Sequence, residues 1–107
     1  MFKITVFIPH NHTERVLGPM FDAGAGRLGN YDQCCFMCEG EGQFRPLGGA
    51  NAFIGKNGVL EKVKEMRVEL LCPKLSLKNV IKALKESHPY EEPAFDVIEL
   101  VDRSVYE

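Results

Sequence analysis

The segment His88-Pro89-Tyr90-Glu91-Glu92-Pro93 separates a helical pattern from a strand pattern in the second half of the chain. Upstream of it, apolar residues recur at helical spacing and lysines occupy the other side, with the apolar set being Leu77, Val80, Ile81 and Leu84. This pattern predicts an amphipathic helix that Ser76 caps and Pro89 stops. Downstream, residues 94–101 predict the last strand and residues 102–107 a polar tail. The segment also contains an imidazole, a phenol and two carboxylates beside its two prolines, which makes it a candidate functional segment.

The first half of the chain supplies three more strands and one more helix. Residues 2–8 alternate with period two, which predicts a strand that Pro9 ends. Residues 31–45 and 62–72 predict the second and third strands, and the glycines of the former weaken it or mark a bulge. Between the first two strands, a helix capped by Asn11 or Thr13 carries an apolar stripe. We expect Pro19 to kink this helix or to delay its start.

The resulting order β-α-β-β-α-β predicts a single α+β domain over residues 1–107 with the ferredoxin-like fold. Right-handed crossovers give a four-stranded antiparallel sheet in the order 4-1-3-2 with both helices on one face. Phe7 and Leu71 should point to the helix-free face, together with one set from residues 34–37. An apolar face of this kind predicts self-association; the alternative is that the polar tail covers it.

Composition excludes several classes of function. The chain has 107 residues and a net charge of -2, so no electrostatic field favours nucleic acid or an anionic membrane. No apolar run approaches the roughly 20 residues that a membrane-spanning helix needs. The opening Met1-Phe2-Lys3-Ile4 does not resemble a signal peptide. We therefore expect a cytoplasmic protein with reduced thiols.

Two glycine-rich segments resemble nucleotide motifs without meeting their requirements. Residues 24–29 spell GxGxxG, but they follow a helix and precede a strand, so no helix N-terminus faces a pyrophosphate. A turn is the better interpretation. The long loop at residues 46–58 lacks the Walker spacing, because Gly49 and Gly55 are six apart and Asn57 follows Lys56.

Four segments together resemble the YqfO domain, the insert found in many proteins of the YbgI/YqfO (Nif-three-like) family. They are residues 6–9 with His12 and Glu14; 23–31 with Cys34; 39–46; and 88–92 with Ala94, Phe95 and Asp96. The resemblance implies a fold like the trimeric PII signalling and CutA proteins, and hence a trimer. It also places the dinuclear metal site of full-length relatives in a larger domain outside these residues, so a hydrolase activity is not implied. Pro19, Cys35 and Cys38 depart from the pattern.

The predicted topology gathers several chemical groups at one end of the sheet. His12 and His88, with Glu91 or Glu92, have the ligand types that zinc or copper prefers, which makes a divalent metal ion the candidate cofactor. The alternatives are a helix C-cap for His88, where the helix dipole would favour its charged form, a solvated turn for the two acids, and a helix start for His12.

The loop at residues 46–58 is the second candidate. Its glycines let backbone amides approach a ligand, its lysine could meet an anion, and its aromatic residue could pack against a neighbouring subunit. The candidate ligand-binding residues are Gly48, Gly49, Asn51, Phe53, Lys56 and Tyr90. The alternative is an ordered structural loop.

No catalytic pattern is evident. There is no G-x-S-x-G elbow, and Cys34 and Cys38 would lie roughly 13 Å apart along a strand, too far for one tetrahedral metal. The cysteines are thus predicted to be inert core thiols. The sequence favours a non-enzymatic regulatory homo-oligomer that binds a small molecule or metal ion at a subunit rim. An interaction module or lid partner of a metal-dependent YbgI-type protein is the alternative, and an enzyme using rim histidines is the third.

Overall fold

Four strands and two helices follow one another in the predicted order in the computed structural model, which describes all 107 residues. The strands are β1 (Phe2–Pro9), β2 (Phe36–Phe44), β3 (Glu61–Cys72) and β4 (Phe95–Glu99). The helices are α1 (Thr13–Asp22) and α2 (Leu77–Ser87). Short 3-10 turns occupy His10–His12, Lys74–Ser76 and Arg103–Tyr106. Neither helix is long and apolar enough to cross a membrane.

The sheet is antiparallel and has the order β2-β3-β1-β4, which is the predicted order seen from its other edge. Ile4, Val6 and Ile8 of β1 are fully buried, and they pair with Leu70, Val68 and Met66 of β3. The inward residues of α1 and α2 complete this core: Val16, Leu17, Met20, Val80 and Leu84. Burying each such side chain contributes about 1.5–3 kcal/mol. The alternating strands and the amphipathic helices bury these side chains together only if both helices lie on the same face of the sheet.

The helix-free face carries both apolar and charged groups. Phe7 and Leu71 lie on it as predicted, and β2 contributes Phe36, which is 61% exposed. Cys34 and Cys35 lie before β2, outside the sheet, and Met37 takes the helix side opposite Val68. A Lys3–Glu69 ion pair of 3.0 Å crosses the same face.

The second strand begins five residues later than predicted. Residues 31–35 are held by the glycine turn instead of by β3: Tyr31 bridges to Leu28, and the Cys34 N–H donates to the Gly26 carbonyl at 2.8 Å. Gly26 has φ +76, and a Cβ there would collide with the Cys34 carbonyl and the Phe21 ring. The turn interpretation of GxGxxG is therefore correct. The predicted start of β2 was wrong because residues 31–35 are hydrogen-bonded to the glycine turn and not to β3. β4 is likewise shorter than predicted, ending at Glu99.

The predicted helix caps are wrong. No side chain caps α1, and the Thr13 hydroxyl instead donates to the His10 carbonyl at 2.8 Å. Ser76 makes no cap hydrogen bond to α2. A 3-10 turn leads directly into each helix, and its carbonyl groups can accept from some of the backbone N–H groups in the first helical turn. Side-chain caps are therefore not required. Pro19 does not delay α1: its carbonyl still accepts from the Ala23 N–H at 3.0 Å, and the helix continues through it.

One end of the sheet projects beyond the helices. β1 pairs with β3 only from Glu65 onward, whereas β2 and β3 remain paired as far as Phe44 and Glu61. This two-stranded extension makes the protein elongated, with extents of 50 × 22 × 22 Å. No β-bulge interrupts β2 at Gly40 or Gly42, which pair in register with Glu65 and Val63. The extension carries the long loop toward the end of β1 and the start of β4.

Candidate ligand-binding cleft

A cleft of about 410 Å³ lies at this end of the sheet, between the β2–β3 extension, the long loop and the segment that leads into β4. A volume of this size is in the range of small-molecule sites. Its lining is Phe7, Gln43, Phe44, Arg45, Pro46, Leu47, Ala50, Ala52, Phe53, Ile54, Glu65, Tyr90, Glu91, Glu92 and Ala94. The interior is mostly apolar, and the charged groups are few, as expected for a site that binds a small molecule.

His88 fastens the segment 88–94 to β1. Its side chain is buried, its Nε2 lies 2.7 Å from the Phe7 carbonyl oxygen, and its Nδ1 lies 3.1 Å from the Tyr90 backbone nitrogen. A carbonyl can only accept and a backbone N–H can only donate, so the ring is the neutral Nε2–H tautomer. The Phe7 N–H in turn donates to the Ala94 carbonyl at 3.1 Å. One residue of β1 thus holds both ends of the segment.

The electrostatics of His88 follow from this burial. Desolvation lowers the pKa of the imidazole below its usual value, and it outweighs the Phe7 carbonyl and Glu65, which act in the opposite direction. The C-cap position expected for His88 is confirmed, but burial opposes the charged form that the helix dipole was expected to favour. The residue does follow α2 directly, and its own N–H donates to the Leu84 carbonyl at 2.9 Å. Burial decides the protonation state here.

Tyr90 forms one wall of the cleft. Its hydroxyl donates to Glu65 Oε2 at 3.0 Å, and its ring meets the Phe44 ring edge-on with centroids 5.6 Å apart. Burial and the neighbouring Glu65 carboxylate raise the pKa of the Tyr90 hydroxyl, which therefore remains a donor. Gly42 makes this arrangement possible, because a Cβ at that position would collide with the Glu65 carboxylate.

The long loop attaches to the cleft by two contacts. The Asn51 N–H donates to Glu91 Oε1 at 3.2 Å, and the Phe53 ring meets the His12 ring edge-on at 5.3 Å between centroids. Of the residues that the sequence singled out for ligand binding, Phe53 and Tyr90 line the cleft, and Asn51 contacts it through Glu91. Gly48, Gly49 and Lys56 lie outside the lining.

The candidate metal ligands gather at the same end of the sheet without forming a coordination site. His12 Nδ1 lies 2.9 Å from the Asn11 side-chain oxygen, and both ring nitrogens of His88 are engaged by the backbone. Glu91 and Glu92 line the cleft. No group of three or more His, Cys, Asp or Glu side chains is arranged to hold a metal ion. A metal on His88 would have to displace one of its two hydrogen bonds.

Several cleft residues were not recognised from the sequence. Phe44, Arg45 and Glu65 come from the β2–β3 extension, and Phe7 reaches the cleft from β1. A signal existed for Glu65: a glycine inside a strand marks the close approach of another group, and Gly42 is such a glycine. Interpreting Gly42 as a weak point or a bulge of the strand overlooks the space that it leaves for Glu65.

The cysteines do not all belong to the core. Cys72 is buried, Cys34 and Cys35 are half-buried, and Cys38 is exposed on β2. Burial raises the pKa of Cys35 and of Cys72. The prediction of inert core thiols was therefore wrong for Cys38, which faces solvent on an edge strand, and describes Cys72 best.

Comparison with known proteins shows which proteins share this sequence and this fold. No protein-family model matches the chain. A protein of Halalkalibacterium halodurans named GTP cyclohydrolase 1 type 2 homolog is 44% identical over 102 residues, which is 95% of this chain and 27% of the relative. The structure of a Bacillus cereus protein related to NIF3 superposes with a TM-score of 0.79 at 44% identity, over 94% of this chain and 26% of that one. The PII-like protein CutA from Nostoc sp. PCC 7120 superposes with a TM-score of 0.67 at 19% identity, over 98% and 85%.

The strand order and the structural comparison define an α+β domain with the fold of the PII-like protein CutA. More particularly, the chain is a YqfO-like domain, homologous to one part of the NIF3-related proteins named GTP cyclohydrolase 1 type 2 homolog. The family resemblance deduced from the sequence is confirmed. The chain spans about a quarter of the length of the curated relatives it matches.

Proposed function

We propose that this domain binds a small molecule in the cleft and acts as a regulatory rather than a catalytic unit. The observation that carries the proposal is the cleft itself: about 410 Å³, walled by Phe44, Phe53 and Tyr90, with Glu65 as a polar group inside it. Aromatic walls with a few fixed polar groups are typical of ligand sites. The chain covers about a quarter of its relatives, so we do not extend to it the cyclohydrolase activity that their name mentions.

A thermal-shift screen with nucleotides, amino acids and amines tests this function. A compound that binds the native state alone stabilises it by about 2.7 kcal/mol at one hundred times its dissociation constant. Phe44→Ala removes a wall of the cleft and should abolish the shift. Tyr31→Ala is the matched control, because Tyr31 is 75% exposed and lies outside the cleft. A shift that survives Phe44→Ala, or no shift with any compound, contradicts the proposal.

We further propose that the domain forms a homo-oligomer, with the trimer favoured, through the helix-free face, so that the cleft lies at a subunit rim. Phe36 and Ile98 are 61% and 55% exposed on this face, and the β2–β3 extension is free to contact a neighbour. Phe36 and Ile98 lie on the two edge strands, and Phe7 and Leu71 lie on the strands between them, so the face offers apolar side chains across its width to a neighbouring copy. The four free thiols support a reducing compartment such as the cytoplasm.

Light scattering coupled to size exclusion measures the oligomeric state. Ile98→Glu places a carboxylate on the helix-free face and should release monomers, whereas Leu75→Glu should not, because Leu75 is 97% exposed just before α2. A monomeric mass for the unsubstituted protein contradicts the oligomer.

The second candidate function is a protein-interaction module that binds a metal-dependent relative as a lid. It is favoured by the comparison, in which this domain matches one part of much longer proteins. Metal binding by His12, His88, Glu91 and Glu92 belongs instead to the first proposal, in which the subunit rim binds a small molecule or a metal ion. It is tested by isothermal titration with zinc and copper. Heat above the buffer control that is lost in His12→Ala supports metal binding, and its absence rejects it.

A further inference from the structure

The charged groups of the cleft are predominantly acidic. Glu65, Glu91 and Glu92 line it, and Arg45 is the one basic residue among the lining side chains. None of these four groups takes part in any of the ion pairs of the structure. Lys56, the residue that the sequence suggested for an anion, lies outside the lining. The cleft therefore has an unneutralised negative charge.

Glu65 is the acid that is fixed in position. Its Oε2 accepts from the Tyr90 hydroxyl at 3.0 Å, and its carboxylate lies over Gly42, where no side chain intervenes. Its Oε1 has no hydrogen-bond donor within the protein, and a carboxylate oxygen beside aromatic walls is a strong acceptor for a charged donor. Glu65 is half-buried, whereas Glu91 and Glu92 are exposed at the mouth.

The walls favour a flat ring. Phe44 and Tyr90 meet edge-on, and Phe53 lines the cleft from the long loop. Aromatic faces attract both rings and cations. A phosphate-bearing ligand would instead meet three carboxylates against one guanidinium, that of Arg45, and this balance of charge disfavours it.

We propose that the cleft selects a cationic ligand with a planar ring, that is, an aromatic amine whose ammonium group faces Glu65. This inference rests on the proposed ligand-binding function and specifies its substrate class. The ammonium would donate to Glu65 Oε1, and the ring would pack among the three aromatic residues. Glu91 and Glu92 would increase the local concentration of the cation at the mouth.

Isothermal titration with tryptamine and indole-3-propionate tests the charge preference, because the two probes share a ring and differ in the sign of the charge. Tryptamine should bind at least about tenfold more tightly. Glu65→Gln keeps an acceptor for Tyr90 and removes the charge, so it should weaken tryptamine binding by about tenfold, an effect of about 1.4 kcal/mol. Asp96→Asn is the matched control, since Asp96 is an exposed acid on the same face of the sheet, lies outside the cleft and takes part in no ion pair.

Three results would overturn the proposal that the ligand is a cation. They are equal or reversed affinities for the two probes, an unchanged tryptamine affinity in Glu65→Gln, and no binding of tryptamine up to its solubility limit. The proposed ligand-binding function is tested separately from this charge preference. If indole-3-propionate or a nucleotide binds and Phe44→Ala abolishes that binding, the cleft is a ligand site of another class. If Phe44→Ala leaves every binding event intact, both proposals fail.

Discussion

Replacing Gly42 by alanine places a methyl group where the Glu65 carboxylate lies. The carboxylate is the far end of a flexible side chain, so it can move away, but it then loses the hydrogen bond from the Tyr90 hydroxyl. That bond contributes about 1 kcal/mol. Gly40 is the matched control, because it lies two residues away on the same face of β2 and a Cβ there meets no atom within 4 Å.

The magnitude follows from two opposing effects. Glycine to alanine in a strand reduces the entropy of the unfolded chain and stabilises the fold by about 0.5–1 kcal/mol. Gly40→Ala should show this gain in full. Gly42→Ala should lose all of it, which leaves a difference of about 1 kcal/mol or slightly more between the variants. For a domain of this size that difference corresponds to about 4–8 °C in Tm.

Urea denaturation with a linear extrapolation gives the two free energies of unfolding. The Glu65→Ala background provides a further test, because in it the two alanine substitutions should become equivalent. Equal stabilities in the unsubstituted background, or a difference that persists without Glu65, would refute the contact between Glu65 and Gly42 and with it the geometry of the cleft wall.

Three further predictions concern the core and the segment 88–94. Burial lowers the pKa of His88, so the unfolded chain binds a proton at this residue more readily than the folded protein does. The stability that the buried neutral His88 contributes is therefore complete above about pH 6.5 and is lost as the pH falls below that value. Chemical denaturation at several pH values should show this loss, and His88→Gln should reduce it while the exposed His10→Gln should not. Leu84→Ala empties a fully buried site and should cost about 2–5 kcal/mol in urea denaturation, against almost nothing for Leu75→Ala. Tyr90→Phe removes only the hydroxyl and should cost about 1 kcal/mol, which vanishes when Glu65 is also changed.

The order of elements could be predicted from the sequence because each depends on a local pattern that agrees with the tertiary structure. Period-two alternation in residues 2–8 fixes which face of β1 is buried, and the stripe Val80–Leu84 fixes the inner face of α2. The crossover rules then leave few topologies. Element boundaries were less accurate where a tertiary contact decides them, as at the start of β2, where the Gly26 carbonyl holds Cys34.

The location of the candidate site could be predicted from the fold, and so could Phe53, Tyr90 and the two acids at 91 and 92, but the residues of the β2–β3 extension could not. The topology brings His12, the long loop and residues 88–92 to one end of the sheet. Which side chains face one another depends on the register of β2 against β3 and on the path of the loop, and neither leaves a periodic signal in the sequence. Glu65 enters the cleft because Gly42 leaves space for it. Both ring nitrogens of His88 bind backbone groups, and one of these groups, the Phe7 carbonyl, lies 81 positions away in the sequence.

The tautomer of His88 in the native protein at neutral pH can be measured from the nitrogen-15 chemical shifts of its ring. The attachment of the segment 88–94 to β1, and therefore the shape of the cleft, depends on this ring. The two hydrogen bonds of the ring require a neutral imidazole with the proton on Nε2 and an unprotonated Nδ1 that accepts from the Tyr90 N–H. A proton on Nδ1, or a charged ring at that pH, would contradict these two hydrogen bonds.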